Sequence, residues 1–178
     1  MKKLVLVAAS FLVPLALLGS GALYLYFTPY FALQEIERAA RAGDTASLAQ
    51  RIDFPAVRSS VKRQIVARIE AGAAANPNPL AAFGSALAGA LSDPAVDALL
   101  TPDNVARLLR GESLGAVQGP TLHLDTSNVD LEYIGFNRFQ AVTAPAPAGF
   151  TLVLARQGWL DWKLVEVILP QSWSFRGA

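Results

Sequence analysis

The stretch YLYFTPYFALQEIERAARAGD, residues 24–44, joins an apolar run directly to a charged helical pattern. In its second half, Leu33 and Ile36 recur at the spacing of one helix face, and charged side chains fill the other face. Thr28 and Pro29 are typical of a helix start, since Thr can cap a helix and Pro suits its first turn. We therefore predict that a membrane segment ends at residue 27 and that a folded domain begins at residue 28.

The segment before this join, Leu4 to Phe27, carries no charged residue and follows Lys2 and Lys3. As a helix it would span about 36 Å, which exceeds the roughly 30 Å hydrocarbon core of a bilayer. The next basic residue is Arg38, so the positive-inside rule places the N-terminus in the cytoplasm. Residues 1–27 are thus predicted to be a transmembrane signal anchor, with residues 28–178 outside the cytoplasm.

A cleaved signal peptide is the alternative to an anchor. Ser20, Gly21 and Ala22 offer the small residues that a cleavage site needs. Apolar character continues through Phe27, which favours an uncleaved anchor, but the sequence leaves cleavage open.

Local signals in residues 28–111 predict a helical region. Gly43 suits the position just past a helix end, and Asp44 is placed to cap a short helix through Arg51. Asp53 caps and Pro55 opens a third, amphipathic helix. An apolar stretch over residues 80–91 predicts a buried helix too short to span a bilayer. Thr101 and Pro102 start a further helix that should end near Gly111.

Periodicity then changes from helical to alternating. Four strands are predicted within residues 121–135, 137–149, 150–158 and 160–170, with a tight hairpin turn at Gln157-Gly158. Helices followed by antiparallel strands predict one α+β domain, in which helices pack on a C-terminal sheet of about four strands over residues 120–170.

Composition excludes several kinds of chemistry. The 178-residue chain has a net charge of +1, which does not favour nucleic-acid binding, and no cysteine for thiolate catalysis. His123 is the single histidine, predicted to be a partly exposed strand residue without a matching ligand cluster. No phosphate-binding loop, dinucleotide fingerprint or nucleophile turn is present. We expect no metal, no cofactor and no catalytic residue.

Charged and aromatic residues allow two interpretations each. Most aspartates of the helical region stand at predicted helix starts, which favours capping, but a carboxylate pair in a pocket stays possible as general acid and base. The aspartates concerned are Asp53, Asp93, Asp97 and Asp103. A basic stretch could be a solvated face or could meet anionic lipid headgroups. It contains Arg51, Arg58, Lys62, Arg63 and Arg68. Trp162 is predicted to lie in the core, whereas the place of Trp173 stays open.

Short motifs occur in a recognisable order: TPYFAL at 28–33, GD at 43–44, DFPAVR at 53–58, then TPDNVARLL from residue 101, NRF at 137–139 and LVLARQGWLDWKLVEVILP from residue 152. Together they resemble domain-of-unknown-function family 2939, bacterial proteins with an N-terminal membrane segment. Thr28 departs from the family's usual Ser. The resemblance implies a membrane-anchored envelope protein without a known activity. The matching positions, expected to be structural, are Pro29, Tyr30, Gly43, Asp44, Asp53, Phe54, Pro55, Arg58, Phe139 and Trp162.

These observations predict a single-pass protein of the bacterial inner membrane that is not an enzyme. Its periplasmic domain is expected to bind a small apolar ligand, a lipid or a protein partner. The order of elements is also similar to cone-shaped nuclear-transport-factor-like or cystatin-like folds, which often enclose a cavity. The alternatives are an envelope enzyme using pocket carboxylates, and an assembly subunit of a membrane complex that packs through Gly19 and Gly21.

Overall fold

The computed structural model describes residues 2–75, 94, 96–114, 117–118, 121–143, 149–171 and 174–175, with the backbone alone at 2–18, 22–23, 73, 75, 117–118 and 174–175. The first helix, α1, runs from Lys2 to Ala42 as one element. The predicted helix start at Thr28 is therefore wrong. Pro29 has no N–H for the carbonyl of Leu25, and the Thr28 hydroxyl donates to that carbonyl instead, at 2.7 Å. Thr28 continues the helix rather than capping it.

Within the part of the chain that the structure describes, no helix combines the length and apolarity needed to cross a membrane. The predicted anchor, Leu4 to Phe27, falls mostly on residues 4–18 and 22–23, whose side chains lie outside the described part.

The predicted caps of the next two helices are confirmed. Gly43 ends α1 with a φ of 67°, which suits a residue without a Cβ. Asp44 then accepts the backbone N–H of Ser47 at 3.0 Å and opens α2, Thr45–Arg51. Asp53 accepts the N–H of Ala56 at 3.0 Å and caps α3, Phe54–Ala75.

The prediction of a buried helix over residues 80–91 lies outside the described residues. Residues 96–99 form a helical turn, and α4 spans Pro102–Leu109. Thr101 caps α4 by accepting the N–H of Asn104, and Gly111 follows with a φ of 84°. The start and end predicted for this helix are confirmed.

The described residues then form six strands: β1 Val117–Gln118, β2 Asp130–Gly135, β3 Arg138–Val142, β4 Thr151–Arg156, β5 Trp162–Ile168 and β6 Ser174–Phe175. The strands β2-β3-β4-β5 form an antiparallel sheet in that order, and β1 pairs with β6. The predicted first strand is too long, because His123 makes only an isolated bridge to Arg110. The predicted two-residue turn at Gln157-Gly158 is also wrong. The loop covers residues 157–161, where the Gln157 N–H donates to the Asp161 carbonyl at 2.8 Å.

Helices pack on the sheet as the α+β prediction requires. The core buries Leu33 and Ile36 of α1 completely, together with Leu152 and Leu154 of β4. α3 covers the outer edge of β5: the Gln64 amide donates to the Val167 carbonyl at 2.7 Å and accepts the Leu169 N–H at 2.9 Å. An edge strand is thereby protected from pairing with another chain.

Candidate functional site

The place where α1 meets the sheet is a cluster of four aromatic rings, here called the aromatic join: Tyr26, Tyr133, Phe139 and Trp162. The Tyr133 ring centroid lies 5.1 Å from that of Tyr26, 5.1 Å from that of Phe139 and 6.1 Å from that of Trp162. Aromatic pairs at these distances stabilise a fold by more than the burial of their apolar area alone. The join therefore fixes the middle of α1 against β2, β3 and β5.

Two hydrogen bonds from the sheet end on the irregular turn around Pro29. The buried Trp162 indole Nε1 donates to the Thr28 hydroxyl at 2.8 Å, and the Tyr133 hydroxyl donates to the Tyr26 carbonyl. Trp162 is 0% exposed and Thr28 is 5% exposed. The Thr28 hydroxyl thus accepts from the sheet while it donates to the helix carbonyl of Leu25.

The Tyr133 phenol stays in its donor form. Burial raises the pKa of Tyr133, the nearby Arg156 charge opposes that rise, and Tyr26 adds to it. A tyrosine phenol keeps its proton at neutral pH even at its ordinary pKa of 10.0, and the raised pKa extends this donor form to more alkaline pH.

Arg156 contacts both the β2–β3 turn and the β4–β5 loop at this end of the sheet. Its guanidinium carbon lies 4.7 Å from the centroid of the Trp162 ring and 5.4 Å from that of Phe136. Its Nη1 donates to the Trp159 carbonyl at 3.1 Å, and its backbone N–H donates to the Asn137 carbonyl at 3.0 Å. The β2–β3 turn and the β4–β5 loop are thereby held side by side.

Large apolar side chains point outward from these two loops. Phe136 and Trp159 are each 84% exposed, and Leu160 is 52% exposed. On α1, at the end of the sheet that Tyr26 contacts through Tyr133, Tyr24 and Tyr26 are also exposed. We call this set the apolar tip: Tyr24, Tyr26, Phe136, Trp159 and Leu160.

An apolar cavity of about 50 Å³ lies deeper, between α3, α4 and the sheet. Side chains from each element line it, among them Val57 and Val61 of α3, Leu109 of α4 and Leu164 of β5. The described lining residues are all apolar, so this part of the lining presents no acid, base or hydrogen-bonding side chain.

A family model described as "Protein of unknown function (DUF2939)" matches residues 18–108. The chain belongs to this DUF2939 family. No curated protein and no solved structure matches the chain. The DUF2939 match includes the motif positions from Pro29 to Arg58 and ends before Phe139 and Trp162. The similarity to cone-shaped folds stays a prediction.

The DUF2939 motif positions on the helices have visible structural roles. Pro29 is buried within α1, and the half-buried Tyr30 ring lies 6.3 Å from that of Phe31. Beyond Gly43 and Asp44, the end of α1 is completed by Arg110, which donates to the Ala40 carbonyl at 2.8 Å. An arginine at this position compensates the negative end of the helix dipole.

The start of α3 connects to the turn before α4. Pro55 is exposed in the first turn, next to the Asp53 cap. Arg58 donates to the Leu100 carbonyl at 3.0 Å, and its guanidinium carbon lies 5.9 Å from the centroid of the Phe54 ring. These four motif residues join two helical elements and do not converge with Gly43-Asp44 or with the aromatic join.

Several of the described carboxylates serve in caps, turns and ion pairs. Hydrogen bonds from Ser47 lower the pKa of Asp44, those from Arg107 and Arg110 lower that of Glu112, and those from Ser127 lower that of Asp125. Asp97 pairs with Lys62 at 3.3 Å, so the capping interpretation is wrong for it, whereas Asp103 lies at a helix start as predicted, in the first turn of α4, which Thr101 caps. Asp93 lies outside the described residues.

The basic stretch is largely engaged within the domain. Arg51 pairs with Glu35 at 2.6 Å and with Asp161 at 2.7 Å, and Arg68 donates to the Leu169 carbonyl at 2.7 Å. His123 is exposed, and no group of His, Asp or Glu in the described residues could hold a metal ion.

Sequence reasoning missed Thr28, Tyr133, Phe136 and Arg156 as parts of one site. The available signal was Pro29 itself. A proline inside a helix leaves a carbonyl without its partner, and a preceding Thr is a ready donor. Nothing local indicated that Arg156 would lie between the rings of Phe136 and Trp162.

Proposed function

We propose that this protein is a single-pass, membrane-anchored module of the bacterial inner membrane, whose domain over residues 28–178 lies outside the cytoplasm and acts by binding. The continuity of α1 supports this most directly. The same helix that carries the uncharged Leu4–Phe27 segment is built into the core through Leu33 and Ile36. An anchor of this kind holds its domain at a fixed distance and angle from the membrane.

Binding is favoured over catalysis by the character of the interior. An envelope enzyme using pocket carboxylates needs an acid whose pKa is raised by burial. The cavity between α3, α4 and the sheet is lined by apolar side chains. In the described residues the three acids with shifted pKa, Asp44, Glu112 and Asp125, are shifted downward by hydrogen bonds.

The surface is a better binding place than the interior. Sites for small molecules commonly measure about 300–1,000 Å³, whereas the cavity measures about 50 Å³. We therefore favour a lipid or protein partner at the surface. A small apolar ligand inside the cavity is the second candidate, because the described lining residues are all apolar.

Alkaline carbonate extraction of cell membranes tests the anchor. The full-length protein should remain in the membrane pellet at its uncleaved mass of 18.9 kDa. A variant carrying Leu12→Arg and Leu17→Arg should be extracted, because each arginine at the centre of a span costs about 3 kcal/mol. Extraction of the unmodified protein would contradict the anchor, and a smaller mature mass would establish cleavage.

Native mass spectrometry of the detergent-purified full chain tests binding. A co-purifying lipid or protein is expected, and repeated recovery of an empty monomer would contradict the proposal. Val61→Phe, which fills the cavity, separates the two candidates. It should leave a surface partner in place and expel a cavity ligand. Val66→Phe, at an exposed position of the same helix, is the matched control.

A further inference from the structure

We infer that the apolar tip rests on the membrane itself, with Phe136, Trp159 and Leu160 seated in the lipid headgroup region. This inference depends on the proposed anchoring through Leu4–Phe27. In addition to the anchor helix, two loops of the sheet would then contact the bilayer directly.

Exposure is the first observation. Phe136 and Trp159 each leave 84% of their surface uncovered, and both lie in short loops. Adjacent large apolar side chains at the surface of a folded domain mark a contact with another apolar phase. Trp and Tyr are also the residues that favour the boundary between headgroups and hydrocarbon, because their rings are amphipathic.

Position identifies the bilayer as the occupant. The β2–β3 turn and the β4–β5 loop lie at the same end of the antiparallel sheet, as the pairs Arg138–Ala155 and Arg156–Trp162 show. The Tyr26–Tyr133 ring contact places α1 at that end too. From Tyr26, α1 continues toward Lys2 through the uncharged segment, so the loops lie where the helix leaves the domain.

The loops are held for this contact before any lipid is present. The Arg156 guanidinium lies against the Phe136 ring and donates a hydrogen bond to the Trp159 carbonyl. These contacts fix the two loops that carry the aromatic side chains. Preorganised loops lose less conformational entropy when they bind. The buried hydrogen bond from Trp162 to Thr28 connects this end of the sheet to α1.

Depth-dependent fluorescence quenching tests the inference in the full chain. The protein has no cysteine, so one introduced cysteine is a unique labelling site. Gly158→Cys is suitable, because a Cβ at that exposed glycine meets nothing within 4 Å and the aromatic residues stay in place. Gln157→Cys is a second position in the same loop, and Asn128→Cys is the control, exposed before β2 at the other end of the sheet.

Each variant is labelled with an environment-sensitive fluorophore and reconstituted into phosphatidylethanolamine–phosphatidylglycerol vesicles containing nitroxide-labelled lipid. We expect quenching at residues 157 and 158 and none above background at residue 128. Adding Phe136→Ser and Trp159→Ser should make the quenching at residue 158 clearly weaker without changing vesicle co-flotation, because the loops no longer enter the headgroup region although α1 still holds them near it.

The outcomes separate this inference from the anchor on which it depends. Failure of the full chain to co-float with vesicles would overturn both. Co-flotation with equally unquenched labels at 128, 157 and 158 would overturn the tip contact alone, and would leave a protein as the partner of that surface. Quenching at residue 158 that is not reduced by the double serine substitution would also overturn it.

Discussion

The two ends of the domain-embedded part of α1 are held in different ways. Near Tyr26, the helix is held by rings and by one buried hydroxyl, with Trp162 at 0% exposure. Near Ala42, it is held by charged and capping groups: Arg110 donates to the Ala40 carbonyl, and the Thr126 N–H and hydroxyl both donate to Glu37. At the first end water is excluded from the Trp162 and Thr28 side chains, although Tyr26 itself is exposed. The second is partly exposed and is screened by salt.

This contrast predicts that substitutions at the Tyr26 end cost more stability than substitutions at the Ala42 end. Four variants test it, all measured by urea unfolding of the detergent-solubilised full chain followed by circular dichroism.

Trp162→Ala should have the largest effect. It removes a fully buried ring that contacts Tyr133 and Phe139 and donates to Thr28. Large-to-small changes of this kind lower the free energy of unfolding by about 3–5 kcal/mol. Trp159→Ala, the same change at an exposed position, should stay within about 0.5 kcal/mol. Equal losses in the two variants would refute the aromatic join as the main attachment.

Thr28→Val should follow. The substitution keeps the shape of the side chain but leaves the Leu25 carbonyl and the Trp162 indole N–H without their partner. Each buried unsatisfied group costs about 1–3 kcal/mol, so a loss of about 2 kcal/mol or more is expected. Thr28→Ser keeps the hydroxyl and should restore most of this stability. A Val variant as stable as the parent would show that the hydroxyl is dispensable.

Gly43→Ala should cost about 1 kcal/mol, because an L-residue is disfavoured at a φ of 67°. Steric contact is not the cause, since a new Cβ would lie 4.0 Å from the Arg110 Nη1. Gly158→Ala is the matched control at the other end of the domain and should change the free energy of unfolding little. A larger loss at Gly158 than at Gly43 would reverse the expected assignment.

Asp44→Asn should change the free energy of unfolding least of the four variants. Its effect should be measurable only as a change in how stability depends on pH. Hydrogen bonds from Ser47 hold the Asp44 pKa below its ordinary value of 3.8, so the ionised cap stabilises the fold above that pH. This stability is lost as pH falls through the folded-state pKa. Asn keeps the cap without titrating, so the unfolding midpoint should fall less between about pH 5 and about pH 3. An unchanged acid slope would exclude Asp44 as a contributor.

Caps were predictable from sequence because their signals are local. Asp44, Asp53 and Thr101 each accept an N–H three residues ahead, and a spacing of that kind is readable in the chain. The same residue types misled at Thr28-Pro29. A Thr-Pro pair both starts helices and, where its hydroxyl replaces the missing N–H, continues them. Only the buried Trp162, 134 residues away, distinguishes the two cases.

Alternation predicted burial better than it predicted strands. Leu122 and Leu124 are buried and His123 is exposed, as the pattern requires, yet they form no ladder with the sheet. Leu124 bonds the Leu109 carbonyl of α4 instead. The apolar tip was beyond sequence reasoning for a related reason: its two loops become neighbours only through the pairing of β3 with β4.

Because α1 continues without a break through Pro29, the orientation of the domain about the helix axis is fixed relative to the N-terminal part of the same helix. A helix turns about 100° and rises about 1.5 Å for each residue. One residue inserted between Gly21 and Tyr24 would therefore swing the whole domain by more than a quarter of a turn about the helix axis while barely changing its height. Seven inserted residues, close to two full turns, would restore the original facing about 10 Å farther out. The direction in which this domain faces therefore depends on the number of residues in a continuous helix, whereas a flexible linker would leave that direction undefined.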